Sequence, residues 1–436
     1  MIPINALTAS EVAAKIRSRD LSVEDVAQAV VKRVNARDSQ VHAFSYFDSK
    51  YVLEQARFLD VGPVKSAIHG VPVGIKDVID TKDMPTGHHS SRYSGSRPGV
   101  DAACVDTLRA MGALLVGKTV TTEFAASSIG GPTRNPLDLA RTPGGSSSGS
   151  AAAVADFQCA IAMGTQTGGS IIRPASFTGI YGWKPTWNSV SREGVKMVSA
   201  TCDTVGFYSR SADDLSLLAD IFDLDALDEP GPASLAGMRV AVVRSSVWPH
   251  ASPATQDALA ECTDLLRAAG TTVVDLEMPA MFETIQDAFR KIISAESHSA
   301  FLNESFNNPE LLEDLRATVE RRGTMAAADY RNAYKVADTC RAAFDDIAAE
   351  FDVILTPSAT GEAPVGIEWT GDAVFNSMWT LLQVPVVNVP GLTGPDRMPV
   401  GISLTARRYQ DRKVIAIAKL VGALLQQKTT RSHGPE

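Results

Sequence analysis

Two glycine-serine stretches constrain this chain more than any other feature. The first reads RTPGGSSSGSAAAVA over residues 141–155, and the second reads GTQTGGSIIRPAS over residues 164–176. A flexible linker has this composition, but a linker does not run directly into an alanine run that favours helix. We therefore expect two fixed loops, one opening a helix over 150–157 and one following a buried strand over 159–165.

Both loops are suited to present backbone N–H groups to a ligand. Glycine pairs let the backbone approach another group closely, and a helix that begins at such a loop adds the positive end of its dipole. The second loop follows a strand, and α/β proteins build their sites at strand ends. If the two loops face each other, one can supply an oxyanion hole and the other a relay to a base.

A serine nucleophile in these loops needs a base, and Lys76 is the candidate. Neither loop has an obvious His-Asp pair, whereas Lys76 follows the apolar run GVPVGI. Burial disfavours the charged form of lysine and lowers its pKa, so a lysine in such a place can accept a proton. The alternative reading of Lys76 taken alone is an ordinary surface lysine.

Alternating helical and strand patterns predict an α/β layered fold. Residues 8–36 read as two helices that separate near Asp20, with Ser22 and Asp25 spaced as a capping box. Residues 101–112 read as a helix that ends at Gly112. Strands are predicted within 70–80, 113–119, 159–165, 238–246, 351–359 and 384–392, a helix-rich stretch over 253–350, and a helix at the C-terminal end.

Composition excludes several classes of function. The chain has 436 residues and a formal net charge of −9, so nucleic acid is not expected as a partner. No apolar run is long enough to span a membrane, and the start does not read as a signal peptide, so we expect a cytoplasmic protein. The adjacent His88 and His89 make a poor metal site, although one of them could touch substrate. The five cysteines are expected to be reduced thiols: Cys104, Cys159, Cys202, Cys262 and Cys340.

At these motifs the sequence resembles the amidase signature enzymes, which hydrolyse carbon–nitrogen bonds with a Ser–cis-Ser–Lys triad. The resemblance covers most of the chain, and several separated motifs in the right order make it specific. Its motifs are GVPVGIKD (70–77), GKTVTTEFA (117–125), TRNP (133–136), RTPGGSSSGSAAAVA (141–155), GTQTGGSIIRPASFTGIYGWKPT (164–186), NVPGL (388–392) and PVGISL (399–404).

The resemblance implies a fold and a set of roles. The fold is a large, mixed, mostly parallel twisted β-sheet covered by helices on both faces, in a single amidase domain over 1–436. Residues 240–350 are expected to form a peripheral helix-rich section of that domain. Lys76 resembles the general base, Ser146 the bridging serine after a cis peptide bond, and Ser170 the nucleophile. The oxyanion hole falls on the N–H groups of Thr167, Gly168, Gly169 and Ser170, without metal or cofactor.

Departures from the family pattern bear on the substrate. Many members have Asp where this chain has Gln166, and Arg173 lies three residues after Ser170 instead of two. This variant resembles the malonamidase branch, in which the corresponding arginine binds a substrate carboxylate, so Arg173 and Gln166 are candidate substrate-binding residues. A structural ion pair is the alternative for Arg173. Gln383 replaces a common glycine, which predicts a different pocket.

Three functions remain at this point. The first is an amidohydrolase acting on a small amide, with a carboxylated amide bound by Arg173 as one form. The second is a hydrolase of neutral aryl amides, esters or carbamates on the same triad. The third is a component of a tRNA-dependent amidotransferase. The net negative charge of the chain and the pattern of Gln166 and Arg173 disfavour this third function. The expected partner is a small-molecule amide or carbamate, and a homodimer is left open.

Overall fold

The computed structural model describes residues 2–224, 231–308 and 310–432. In these residues eleven strands form one sheet, which is the expected α/β core. The strands are β1 (Phe44–Phe47), β2 (Pro72–Lys76), β3 (Leu114–Thr119), β4 (Ile161–Gln166), β5 (Tyr181–Lys184), β6 (Thr204–Ser209), β7 (Arg239–Val243), β8 (Thr272–Leu276), β9 (Val353–Pro357), β10 (Val386–Thr393) and β11 (Pro399–Thr405).

The sheet is mixed, as expected, but it is not mostly parallel. Its order is β1-β3-β2-β4-β6-β5-β10-β11-β9-β7-β8. Four of the pairings are parallel and six are antiparallel. Parallel strands need a crossover connection, and here helices precede β3, β4 and β8. Strands β10 and β11 are instead joined by a short turn, which is possible only for antiparallel neighbours.

Helices cover the sheet. Those of the described residues are α1 (Ala9–Arg17), α2 (Val23–Val41), α3 (Ser49–Val61), α4 (Ala103–Ala110), α5 (Ser148–Ala155), α6 (Ile172–Thr178), α7 (Ala212–Ile221), α8 (Pro253–Ala268), α9 (Ile285–Ala300), α10 (Leu302–Asn307), α11 (Glu313–Glu320), α12 (Ala327–Ala348), α13 (Val374–Leu381) and α14 (Asp411–Ser432).

Alternate side chains of the strands enter two different hydrophobic cores. In β4, Ile161 and Met163 pack into one core with residues of α4, α8 and α14, whereas Ala162 packs into a second core with residues of α5, α9 and α12. Successive side chains of a strand point to opposite faces of a sheet. The two cores therefore lie on the two faces, and both faces carry helices, as expected.

The predicted starts of two helices agree with the structure to within two residues. The Ser22–Asp25 capping box is present, since the Ser22 hydroxyl accepts the N–H of Asp25 at 3.0 Å and the Asp25 carboxylate accepts the N–H of Ser22 at 3.0 Å. The helix that follows the first loop begins at Ser148, two residues before the predicted start. Composition alone does not show where the first turn of a helix begins, and in α5 that turn includes serines.

The section 240–350 contains both helices and strands. It is expected to be helix-rich and peripheral, yet β7 and β8 lie within or beside it and extend the main sheet at one edge. Strand β8 follows helix α8 and is hidden in the predicted helical stretch, because the five residues TVVDL give too short a pattern to identify. Helices α9 to α12 account for most of the rest.

All five cysteines are free and buried, which confirms the expectation of reduced thiols. Burial raises the pKa of the Cys104 thiol to about 12, so this thiol stays protonated. Across the described ranges, every helix is too short or too polar to cross a membrane.

Candidate active site

Lys76 is the last residue of β2 and is completely buried. Strand β2 lies between β3 and β4 inside the sheet; Lys76 pairs with Thr119 of β3, whereas the pairing with β4 involves Val73 and Gly74. The Nζ atom of Lys76 lies 2.8 Å from the Oγ atom of Ser146 and 2.8 Å from the Oγ1 atom of Thr165. Burial holds the pKa of Lys76 well below its usual range, against a smaller opposite effect of Asp203. A neutral amine can therefore act as a base here.

Ser146 lies in the first glycine-serine loop, directly before α5. The peptide bond between Gly145 and Ser146 is cis, and Gly144 has a φ of 85°, which favours glycine. A Cβ atom on Gly145 would lie 2.6 Å from the Cγ2 atom of Thr370. The glycine pair thus lets the loop make a turn that side chains would block, and the turn brings the Ser146 hydroxyl to Lys76.

The second loop, Thr167 to Ser170, connects β4 with α6. The N–H groups of Gly168, Gly169 and Ser170 have no hydrogen-bond acceptor among the described residues. The Ser170 hydroxyl also has no hydrogen bond within the described part of the chain, so a Ser146–Ser170 contact is not formed in this structure. Three free N–H groups beside a free hydroxyl are a suitable arrangement for a nucleophile with an oxyanion hole.

Gln166 forms hydrogen bonds with the backbone just after this loop and does not line the cavity. Its Oε1 atom accepts the N–H groups of Ile171 at 2.8 Å and Ile172 at 3.0 Å, and its Nε2 atom donates to Thr380 at 3.1 Å. The side chain is completely buried, and both of its ends are occupied. The expected substrate contact of Gln166 is therefore corrected: this amide fixes the start of α6.

Arg173 lies in the first turn of α6, buried but in the wall of the cavity. Its guanidinium donates to the carbonyl of Gly145 at 2.6 Å and to the hydroxyl of Thr370 at 3.3 Å. No carboxylate of the described residues lies within ion-pair distance of it, and its Nε–H has no partner among them. Burial lowers the pKa of Arg173 to about 10, while Asp372 acts in the opposite direction. The alternative of a structural ion pair has no partner within ion-pair distance among the described residues; the contacts that Arg173 makes there are to a carbonyl and a hydroxyl.

A cavity of about 430 Å³ lies in front of the second loop. Its walls combine small apolar and aromatic side chains with a few polar groups, which is typical of small-molecule sites. They come from the loop itself, from the segment after β3, from α9 and from the segment before α13. The main contributors besides the loop are Ala125, Ser127, Arg173, Phe289, Trp369 and Asp372.

Two further sequence candidates lie outside this cavity. Gln383 adopts a φ of 63°, the conformation that glycine takes most easily, and its Nε2 atom donates to the carbonyl of Thr201 at 3.1 Å. His88 packs against Tyr93 and Phe124, and burial lowers its pKa to about 4. Neither residue is among those that line the cavity. The replacement of glycine by Gln383 therefore changes a support of the site and not its wall.

Sequence reasoning missed two polar residues at the site. The signal that could have found Thr165 is its place inside the second motif: it lies in β4, and its Oγ1 atom is 2.8 Å from the Nζ atom of Lys76. Asp203 accepts a hydrogen bond from the Thr167 hydroxyl at 2.5 Å. No local pattern marks Asp203, because it reaches the loop only through the antiparallel pairing of β4 with β6.

Comparisons with known proteins agree with this fold. Residues 25–415 match the family model described as Amidase. The chain is 32% identical to a glutamyl-tRNA(Gln) amidotransferase subunit of Streptomyces coelicolor, with 98% of each chain covered. A peptide amidase in complex with the competitive inhibitor chymostatin has a TM-score of 0.82 at 26% identity, over 98% of this chain and 99% of that one.

A fatty acid amide hydrolase has the same fold, with a TM-score of 0.88 at 23% identity over 97% of this chain and 85% of that one. The family match covers far more than half of the chain, and relatives above 30% identity cover nearly all of it. The chain belongs to the amidase signature family and is an amide-hydrolysing enzyme.

Proposed function

We propose that this protein is a serine-dependent amidohydrolase that cleaves the C–N bond of a small amide through an acyl-enzyme on Ser170. The observation that carries the proposal is the completely buried Lys76 with its Nζ atom 2.8 Å from the Ser146 hydroxyl. A buried lysine beside a hydroxyl, with no carboxylate within ion-pair distance in the described residues, is arranged to hold a proton transiently.

The proposed reaction has two halves. Neutral Lys76 takes the Ser146 proton as Ser146 takes the Ser170 proton, and the Ser170 Oγ atom attacks the amide carbonyl. The proton then returns through Ser146 to the leaving nitrogen, the C–N bond breaks, and the acyl group stays on Ser170. Water attacks this ester by the same proton path, which releases the acid and restores Ser170.

The oxyanion of each tetrahedral intermediate is assigned to the N–H groups of Thr167, Gly168, Gly169 and Ser170. The unoccupied donors of this loop support the assignment, because they cost no reorganisation when charge develops on the carbonyl oxygen. In the same proposal, the Ser146–Ser170 hydrogen bond forms when substrate enters, since catalytic contacts are often long in the free enzyme.

For the substrate, we favour a carboxylated amide held by Arg173, as in the malonamidase branch that the motif resembles. Support comes from the position of Arg173 in the cavity wall and from its Nε–H, which has no partner among the described residues. The alternative is a neutral aryl amide, ester or carbamate. The apolar walls around Phe289 and Trp369 support that alternative, since they offer no partner for a charge.

A second candidate is an amide-hydrolysing component of a tRNA-dependent amidotransferase. The names of the relatives favour it, because proteins 31–33% identical to nearly the whole chain are subunits of glutamyl-tRNA(Gln) amidotransferases. Such a component would depend on partner proteins, whereas the amidohydrolase would act alone.

The test is a substrate panel on the purified chain, read as release of ammonia or amine. The panel contains glutamine, small carboxylated amides, neutral amides of equal size, aryl amides and aryl carbamates, with Ser170→Ala as the control. We expect turnover without a partner, and a loss of at least about 10³-fold in the Ser170→Ala variant with an unchanged fold. Activity on glutamine alone that needs an added partner would favour the second candidate.

A further inference from the structure

Asp203 lies opposite Thr167 at the edge of the active-site cavity. Strands β4 and β6 pair antiparallel with Gln166 facing Thr204, so the residues just beyond this pair, Thr167 and Asp203, also face each other. The Thr167 hydroxyl donates a hydrogen bond of 2.5 Å to the Oδ1 atom of Asp203. A carboxylate from a distant part of the sequence thus holds the first residue of the loop that ends in Ser170.

The second oxygen of Asp203 is equally occupied. Its Oδ2 atom accepts the N–H groups of Val198 at 2.5 Å and Ser199 at 3.1 Å. Val198 also lines the active-site cavity. Both oxygens therefore act only as acceptors. An amide of the same shape keeps only one such oxygen, so either the Thr167 hydroxyl must turn to accept from the amide nitrogen, or the N–H groups of Val198 and Ser199 lose their acceptor. Burial raises the pKa of Asp203 to about 6, while these three hydrogen bonds and Arg192 act in the opposite direction.

The segment that carries Asp203 is itself fixed. The carboxylate of Glu296 on α9 accepts the N–H of Thr201 at 3.0 Å and also its hydroxyl. On the other side, the side chain of Gln383 binds the Thr201 carbonyl. These contacts fix the segment next to Asp203, so Asp203 has little freedom to follow the loop if the loop moves.

We propose that Asp203 is a positioning residue that orients Thr167 and, through it, the oxyanion donors beside Ser170; this inference rests on the proposed function. Its effect falls on the transition state, because the oxyanion forms only after attack by Ser170. A carboxylate that merely stabilised the segment 197–203 would change the folded fraction and leave the turnover of each folded molecule unchanged.

The experiment measures kcat and KM of Asp203→Asn, Thr167→Val, Thr167→Ser and the double variant Asp203→Asn/Thr167→Val, on the best substrate of the panel. We expect kcat to fall about 10²-fold in Asp203→Asn and in Thr167→Val with KM nearly unchanged, because displacement of an oxyanion donor costs this much. The double variant should lose clearly less than the product of the two single losses, since both changes affect the Thr167–Asp203 hydrogen bond, and only Asp203→Asn also affects the contacts to Val198 and Ser199. Thr167→Ser, which keeps the hydroxyl, should retain most of the activity.

The matched control is Asp214→Asn. Asp214 is also buried and accepts the N–H and the hydroxyl of Ser10 at 2.9 and 2.8 Å, but it lies on α7 and does not line the cavity. This control should lower thermal stability while leaving kcat unchanged.

Wild-type turnover on the panel comes first and tests the proposed function separately. A Thr167→Val variant with wild-type kcat, or losses that add in the double variant, would overturn the role of Asp203.

Discussion

At the residue scale, the central feature is the burial of a lysine without a close countercharge in the described part of the chain. Lys76 is completely enclosed, and its nearest polar neighbours are the hydroxyls of Ser146 and Thr165. Hydroxyls can hydrogen-bond a neutral amine as donors, so they satisfy the buried group without requiring it to be charged. The same surroundings would be unfavourable for a permanent cation.

The pH dependence of turnover follows from this environment. Only neutral Lys76 can take a proton, and its pKa lies well below the usual range of lysine. Turnover should therefore rise as the pH increases through the lowered pKa of Lys76, and it should stay high at higher pH. We expect Lys76→Arg to be inactive at every pH, since arginine stays protonated. The measurement is a kcat/KM profile for both proteins; a profile that falls through the same range would contradict the role of Lys76 as the base.

Arg173 contacts the first glycine-serine loop in the structure, and the proposal adds a contact to substrate. Its guanidinium holds the Gly145 carbonyl before the cis peptide bond, and it also faces the cavity. Arg173→Ala should lower turnover of all substrates through the first contact. If a substrate carboxylate binds Arg173, the carboxylated amide should lose a further ~2–5 kcal/mol of transition-state binding. Values of kcat/KM for a carboxylated amide and a neutral amide of equal size measure the difference. Equal losses would place the substrate among neutral amides, esters or carbamates.

The contact of Lys76 with Ser146, and the position of Ser170 in the loop that lines the cavity, could be predicted because each residue stands in a contiguous motif. The prediction that Gln166 contacts substrate is wrong, since a sequence motif does not show whether a side chain points into the cavity or into the protein interior. Asp203 could not be predicted at all. It lies far from Thr167 along the chain, and only the strand pairing of β4 with β6 brings the two together.

At the element scale, the two glycines of the loop between β4 and α6 differ in how closely other residues pack against them. A Cβ atom on Gly169 would lie 2.9 Å from the Nδ2 atom of Asn376, whereas one on Gly168 would meet nothing nearer than Ala373 at 3.5 Å. The first distance is too short for a real contact, and the second is an ordinary one. Helix α13, which carries Asn376, therefore leaves too little room for a side chain at residue 169.

Gly169→Ala should lower kcat by at least about tenfold, because the loop must shift away from α13 and the oxyanion donors shift with it. Gly168→Ala is the matched control, with the same added methyl group at ordinary contact distance, and its loss should be clearly smaller. Steady-state kinetics with a thermal melt of each variant separate turnover from stability. Equal kinetic losses in the two variants would show that steric contact with Asn376 is not the cause.

The sequence predicted the elements around this loop better than those far from it. Strands β2, β3 and β4 are short apolar runs bounded by glycine or polar residues, which is a strong local pattern. Strand β8 was missed because a five-residue strand between long helices has no pattern of its own. The start of α5 was placed two residues late, since Ser148 belongs to the helix and reads as loop.

At the scale of the whole molecule, the sheet brings the site together from separate parts of the chain. Lys76, Thr165 and Asp203 come from or beside three neighbouring strands, β2, β4 and β6. The α/β class and the helices on both faces followed from the pattern of elements and the family resemblance. The number of antiparallel pairings did not, because strand direction depends on the connections between strands and not on the composition of the strands.

The most direct test of Ser170 as the nucleophile is covalent labelling of the intact enzyme by a fluorophosphonate, which reacts with activated serine hydroxyls. Intact-mass and peptide mass spectrometry locate the adduct in wild type, Ser170→Ala and Lys76→Ala. We predict one adduct, on Ser170, which is absent from Ser170→Ala and forms far more slowly in Lys76→Ala because the proton has no acceptor. An adduct on another serine, or equal labelling of the Ser170→Ala variant, would contradict the assignment of Ser170 as the nucleophile.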